Sequence, residues 1–367
     1  MTIPSAVLRA EPTTQPSRRK GTATEPVSDT ADAASPHLRL EDRVALLRFM
    51  LAHRAIEERG TSLYKQGKVP GSFYDGRGQE ATCVGATFAL ASGDPVCPLI
   101  RDLGAHLVKG TSARAVLAHY LGRAGGVSAG REGNVHFGDA SLGVVGMVSM
   151  LPDMMAVAVG MALAFKLRGE QRCALAFFGD GATSVGDWHE AMNLAAVQHV
   201  PAIFVLEHNG YAYSTPSELQ FAVDPLQRAA AYGMPGVSVD GNDVEAVFEV
   251  VRQARERAIT GGGPTLIAAH TMRMHGHGAH DDGRYVPPEQ IEHWLGRDPI
   301  ELQRSRLAAL AVDVEALAVE VAAEVDEATV QALAMPHPDP GTATSGVYAV
   351  GEAVALGRGL APWSGFR

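Results

Sequence analysis

Cysteine is scarce: Cys83, Cys97 and Cys173 are the only three in 367 residues. They are odd in number, widely spaced and free of any C-x-x-C pair, so neither a disulfide framework nor a cysteine zinc site is indicated, and a reducing cytoplasm suits the chain best. Long apolar runs are lacking too. The longest, Met154 to Phe165, contains a glycine and is about half of the ~20 residues that a spanning helix needs, so no membrane span is expected. Positive charge is in deficit. The 31 Lys and Arg against 41 Asp and Glu leave a formal charge of −10, which repels a phosphate backbone and disfavours nucleic acid as a partner. What is abundant is hydrophobic residues, 46% against 20% charged, a balance that supports a large buried core.

Residues 1–38 are rich in Thr, Pro, Ser and Ala without an apolar stretch, and read as a disordered tail, not a secretory signal. Arg18, Arg19 and Lys20 hint at a transit peptide, but Glu11, Glu25, Asp29 and Asp32 argue against one, since such peptides are poor in acids. Order is predicted to begin near Leu40, where Val44, Leu47 and Leu51 repeat at helical spacing, with Gly60 as the stop. Gly-rich loops follow at 122–133 and 138–146. Ala174–Phe178 is a continuous apolar run ending in Gly179-Asp180-Gly181, the signature of a strand buried on both faces. Trp188, Ala191, Met192 and Ala195 then predict a helix, and Ala202–Leu206 a second buried strand ending in Glu207-His208-Asn209. This is a βαβ unit whose crossover should be right-handed. A further strand–helix–strand follows, with strands at 236–240 and 265–269 around a helix opened by Asn242 or Asp243. Residues 300–334 predict one helix ending before Pro336, and the last thirty residues a Gly- and Pro-punctuated tail. The fold class is therefore α/β, a doubly wound, mainly parallel sheet flanked by helices, with one domain over 39–335 between tails at 1–38 and 336–367.

Parallel strands deliver their C-terminal ends to one rim, where open α/β sheets bind ligands. Asp180, Asn209 and His277 should meet there. A carboxylate and a carboxamide oxygen are hard donors suited to magnesium completed by phosphate oxygens, and Gly179 and Gly181 leave backbone bare for a phosphate to approach. Arg273, His275 and His277 add donors for the same anion. Taken singly these features are bland: Gly-Asp-Gly is an ordinary turn, an Asn commonly closes a strand, and His275-Gly276-His277 could be a solvated loop or part of a zinc site that lacks a third ligand nearby. Their joint placement, Asp180 and Asn209 on consecutive strand ends, points to a magnesium-bound diphosphate.

The residues running from Gly179-Asp180-Gly181-Ala182 through Gly186, Glu190, Asn193 and Ala196 to Glu207-His208-Asn209-Gly210-Tyr211-Ala212-Tyr213-Ser214-Thr215 resemble the thiamine diphosphate motif. Together with Gly78-Gln79-Glu80-Ala81, Arg101, Gly133-Asn134-Val135-His136, Val239–Asp243, Arg273–His277 and Arg297-Asp298-Pro299-Ile300, they make residues 40–335 similar to the alpha subunit of the thiamine-dependent first component of 2-oxo acid dehydrogenase complexes. The resemblance implies that Asp180 and Asn209 bind magnesium by side chain and Tyr211 by its carbonyl oxygen. It implies that Gly179, Gly181, Ala182, Arg101 and His277 hold the diphosphate, Asn209 serving the cofactor as well as the metal, and that Ser149 and Leu151 meet the aminopyrimidine through their backbones.

The implied reaction is decarboxylation of a 2-oxo acid with acyl transfer to a lipoyl group on an acyltransferase core. His277 would assist by donating a proton. The implied assembly is an α2β2 heterotetramer in which a beta subunit completes the cofactor site. This sequence departs from the family in places. His208 stands where Asn is common, a change expected to be harmless; Ile100 replaces a usual Tyr; Gly278 replaces the regulatory Ser of animal enzymes; and the polar potassium ligands between Val148 and Met154 are largely gone. Phe73 and Tyr74 are candidates for a substrate wall, against ordinary core packing, and the loop from His277 to Pro288 is expected to be mobile until cofactor binds. Pyruvate or a branched-chain 2-oxo acid is the expected substrate, with acetoin as the alternative. Outside catalysis, the chain could be a non-catalytic assembly subunit, although the intact Asp180, Asn209 and His277 oppose that. A magnesium phosphohydrolase would need a second Asp near the first strand end, which is missing.

Overall fold

The computed structural model describes residues 35–346, Tyr348, 351–352 and 354–366, so the greater part of the expected N-terminal tail lies outside the described residues. Ser35 and Leu38, at its end, are buried, with Ser35 Oγ donating to Glu249. The chain then enters α1 (Leu40–Lys65), α2 (Glu80–Phe88), β1 (Val96–Cys97), α3 (Leu103–Val108), α4 (Ala113–Tyr120) and α5 (Asp153–Arg168). The βαβ unit is β2 (Ala174–Gly179), α6 (Gly186–Val197) and β3 (Ala202–His208). A short hairpin, β4 (Tyr211–Ala212) and β5 (Thr215–Pro216), precedes α7 (Pro225–Ala231), β6 (Gly236–Asp240), α8 (Val244–Arg257) and β7 (Thr265–His270). Three helices close the domain: α9 (Pro288–Leu295), α10 (Pro299–Ala309) and α11 (Val314–Ala334).

The main sheet is parallel throughout, in the order β1-β2-β3-β7-β6. The crossover through α6 advances the sheet from β2 to β3, and the one through α8 returns from the edge strand β6 to β7, so right-handedness puts the two helices on opposite faces. Alternation along each strand then divides the core. Leu175, Phe177, Ile203, Val205 and Ile267 pack against α1, α2 and α8, while Ala174, Ala176, Phe178, Phe204 and Leu206 pack against α5 and α6. Burial of both faces is why these strands read as unbroken apolar runs. Register matters for the site: Gly179 pairs with Glu207, and His208 and Asp240 both pair with His270. Asp180 and the residues after His208 and His270 therefore leave the sheet at one level.

Two expectations about helices need correction. α1 does not stop at Gly60 but runs on to Lys65; Gly60 is there because a Cβ would lie 2.5 Å from the Phe73 ring and 3.2 Å from Tyr120. The expected single helix over 300–334 is two, broken where Ala311 adopts φ 60 and Asp313 caps α11 through the Ala316 amide. After α11 the chain returns to the domain: Trp363 packs on Phe248 at 5.2 Å and the Ser364 amide donates to the buried Asp42. Among the described residues no helix is long and apolar enough to cross a membrane.

Gly60→Ala tests the close approach. Helix propensity alone would favour Ala by about 1 kcal/mol, yet crowding of Phe73 should make the variant less stable by about 1–3 kcal/mol in urea unfolding. A raised midpoint would show that the helix has room there.

Candidate active site

β2 ends into a short 3-10 turn at Asp180–Ser184, which turns the Asp180 side chain back under the rim, where it is 1% exposed. Neither of its carboxylate oxygens receives a well-aligned hydrogen bond. His208 Nδ1 stands 3.2 Å from Oδ1, but burial lowers the His208 pKa, so that ring is neutral and offers no full counter-charge. Burial pushes the Asp180 carboxyl up to about 7, with the Ser217 hydroxyl and the amides of Gly210 and Tyr211 pulling the other way. A buried carboxylate without a paired charge is costly, and it is the state a cation relieves.

Asn209 follows β3 and is nearly buried. Its Oδ1 accepts from the Tyr211 amide at 3.1 Å, and its Nδ2 donates to Gln79 Oε1 at 3.2 Å. Tyr211 is fixed in turn by its hydroxyl, which donates to Gln290 at 2.8 Å. Gly181 lies so close to the hairpin that a Cβ would sit 2.8 Å from the Ala212 Cβ, whereas Gly179 has open space about it. Ala182 is buried beside them. Thus Gly179, Asp180, Gly181, Ala182, Asn209 and Tyr211 form one group.

The segment after β7 brings the cations. Arg101 is 6% exposed and donates to the carbonyls of Asp75, at 2.7 Å, and His277. Arg273 is 3% exposed and donates to the Tyr213 carbonyl at 2.8 Å and the Tyr285 hydroxyl at 2.6 Å. Neither guanidinium forms an ion pair with a carboxylate among the described residues, and burial together with their mutual repulsion lowers the pKa of Arg101. Two buried cations without carboxylate partners make a site for an anion. His277 lies between Tyr74 (ring centroids 5.5 Å) and Tyr213 (4.4 Å). Burial, then Arg101 and Arg273, hold its pKa down at about 4, so the ring is neutral. Arg101 Nη2 is 3.5 Å from Nδ1; since the guanidinium has only protons to offer, the ring keeps its own on Nε2.

Ser149 and Leu151 are not drawn into this group. They occupy an exposed turn before α5, where Ser149 Oγ meets His136 Nε2 at 3.0 Å. Phe73 is fully buried against Tyr120 at 5.1 Å and belongs to the core, leaving only Tyr74 at the site. Within the loop from His277 to Pro288, Asp281 accepts from the His277 amide at 2.6 Å and the Tyr285 hydroxyl at 2.6 Å.

The sequence profile of the dehydrogenase E1 component matches residues 48–341. The chain belongs to the dehydrogenase E1 component family. This E1 chain is 39% identical over 254 residues to the alpha subunit of acetoin:2,6-dichlorophenolindophenol oxidoreductase of Bacillus subtilis (69% of this chain, 76% of that protein). It is 38% identical over 317 residues to the 2-oxoisovalerate dehydrogenase alpha subunit of the same organism (84% and 96%), and 33% identical over 334 residues to the pyruvate dehydrogenase E1 alpha subunit of Rhizobium meliloti (90% and 96%). Membership of the family carries dependence on thiamine diphosphate, 2-oxo acid dehydrogenase chemistry and operation as one subunit of a larger assembly.

The residues of this E1 chain fit that cofactor: an unsatisfied carboxylate beside a carboxamide for a hard cation, and paired guanidinium groups for phosphates. Among the described residues no group of three or more His, Cys, Asp or Glu could hold a metal. Two neighbours escaped the sequence reading. His208, expected to be harmless, touches Asp180 and stacks on His270 at 5.0 Å; its departure from Asn was the available signal. Gln79 reaches Asn209 across the rim from α2, and no spacing in the sequence reveals that.

Asp180→Asn isolates the cost of the buried charge. Because the folded pKa is raised to about 7 from an ordinary 3.8, stability held at low pH is lost as pH rises between those values. The metal-free variant should therefore gain on wild type progressively from about pH 4 to above pH 7, by up to roughly 4 kcal/mol. Thermal unfolding across pH measures the gap, and a flat difference would contradict a strained carboxylate.

Proposed function

We propose that the chain is the alpha subunit of a heteromeric 2-oxo acid dehydrogenase, supplying the diphosphate and magnesium half of a thiamine diphosphate site. The observation that carries this is Asp180, buried and without a well-aligned hydrogen bond, one strand end from Asn209 and close enough for Arg273 to feel its charge. Asp180 and Asn209 would hold magnesium by side chain and Tyr211 by its carbonyl, while Gly179, Gly181, Ala182, Arg101, Asn209 and His277 would serve the diphosphate. Ser149 and Leu151 would close on the aminopyrimidine. Thiamine diphosphate, when bound, supplies the electron sink for decarboxylation.

The protein's own contribution is positional and electrostatic. Arg101 and Arg273 would neutralise the anion, and a bound anion would offset the part of the His277 depression that comes from the two guanidinium groups, raising its pKa, while burial would still hold it down. The Nε2 proton of His277 is then available near the reacting centre. A beta subunit would complete the site in an α2β2 assembly, with the acyl group passing to the lipoyl group of an acyltransferase core. A 2-oxo acid, pyruvate or a branched-chain acid, is the favoured substrate; the 39% identity to an acetoin-acting subunit supports acetoin as the second reading. An assembly role without turnover gives no reason for a strained Asp180.

Co-expression with the beta partner, followed by dye reduction on pyruvate, 2-oxoisovalerate and acetoin, tests this. Turnover of one 2-oxo acid by the pair, and none by either subunit alone, is expected. Activity of this chain by itself would overturn the two-subunit reading, and activity confined to acetoin the substrate.

A further inference from the structure

Asn209 carries an amide whose two ends are chemically opposite: its oxygen can ligate a cation and its NH2 repels one. Which end faces the Asp180 side is set by neighbours. The Tyr211 amide donates to Oδ1 at 3.1 Å, and on the other end Nδ2 donates to Gln79 Oε1 at 3.2 Å. Gln79 is itself an amide with the same ambiguity, and Glu207 resolves it by accepting from Gln79 Nε2 at 2.8 Å. Gln79 and Glu207 are 0% and 1% exposed, so water cannot substitute for either contact.

The relay has a firm anchor: Glu207 lies on β3, in register with Gly179 of β2. Gly78 places Gln79 at this depth: it adopts φ +95 and a Cβ there would lie 2.3 Å from the Met272 carbonyl.

We propose that Gln79 is a positioning residue for the metal: the chain Glu207–Gln79–Asn209 orients the Asn209 carboxamide so that its oxygen, not its nitrogen, is presented on the Asp180 side. This rests on the magnesium reading of Asp180 and Asn209 and adds to it a residue that does not touch the metal. Loss of Gln79 leaves only the Tyr211 amide to resist rotation of the carboxamide.

The test uses the alpha–beta complex and titrates magnesium in the presence of thiamine diphosphate, with half-saturation read by calorimetry and the metal-free thermal midpoint measured alongside. Gln79→Met, close in volume, should raise half-saturating magnesium roughly threefold to tenfold, the value of one buried hydrogen bond, without a matching fall in midpoint. In an Asn209→Asp background, whose two oxygens are equivalent, Gln79→Met should add nothing. Gln79→Ser, too small to clash, replaces Gln79→Met with the same expectation if the latter does not assemble. Unchanged half-saturation in Gln79→Met, or the same added rise in the Asn209→Asp background, would each overturn the inference. If Asp180→Ala retains wild-type magnesium binding, the failure lies instead with the metal reading beneath it.

Discussion

A carboxylate kept out of water with nothing to neutralise it is the constraint on which this molecule turns. Asp180 sits at the end of a central strand, 1% exposed and without a well-aligned hydrogen bond. Folding must carry that cost, which only the rest of the core can offset. The parallel sheet supplies the means: with both faces covered, the strand ends form a rigid rim whose register holds Asp180, His208 and Asn209 in fixed relation. Arg273 feels the charge of Asp180, and it and Arg101 are buried without an ion pair to an acid among the described residues. A magnesium-bound diphosphate would join the two kinds of charge.

Much of what marks the family turns out to be framework supporting that rim. Glu80 pairs with Arg54, which also pairs with Asp298, tying α2 to α1 and the start of α10. Asn242 accepts from Thr271 at 2.8 Å and donates to the Arg297 carbonyl, and Asp243 caps α8. Gly241 has no room for a Cβ against the His270 carbonyl at 2.8 Å. These residues fix where β6 and β7 end, and therefore where Arg273 and His277 begin.

Legibility in the sequence followed the physics of each element. β2, β3 and β7 were readable because double burial leaves an uninterrupted apolar run, and Asp180 and Asn209 because each directly follows such a run. β1 was not: two residues at a sheet edge carry no periodicity. Gly60 misled because a glycine needed for close packing looks the same as one that ends a helix. Phe73 misled because adjacency to the Gly78–Ala81 segment says nothing about which way a ring points. His208 and Gln79 were invisible as neighbours of Asp180 and Asn209, since Gln79 and Asn209 are 130 positions apart and meet only through the fold.

The account therefore stands on the affinity of one carboxylate for one cation. The most direct measurement is equilibrium binding of thiamine diphosphate to the assembled alpha–beta protein, with and without magnesium, for wild type and Asp180→Ala. Tight binding that needs magnesium in wild type, and weak binding indifferent to magnesium in the variant, is the predicted result. Equal, magnesium-dependent binding by both would contradict it.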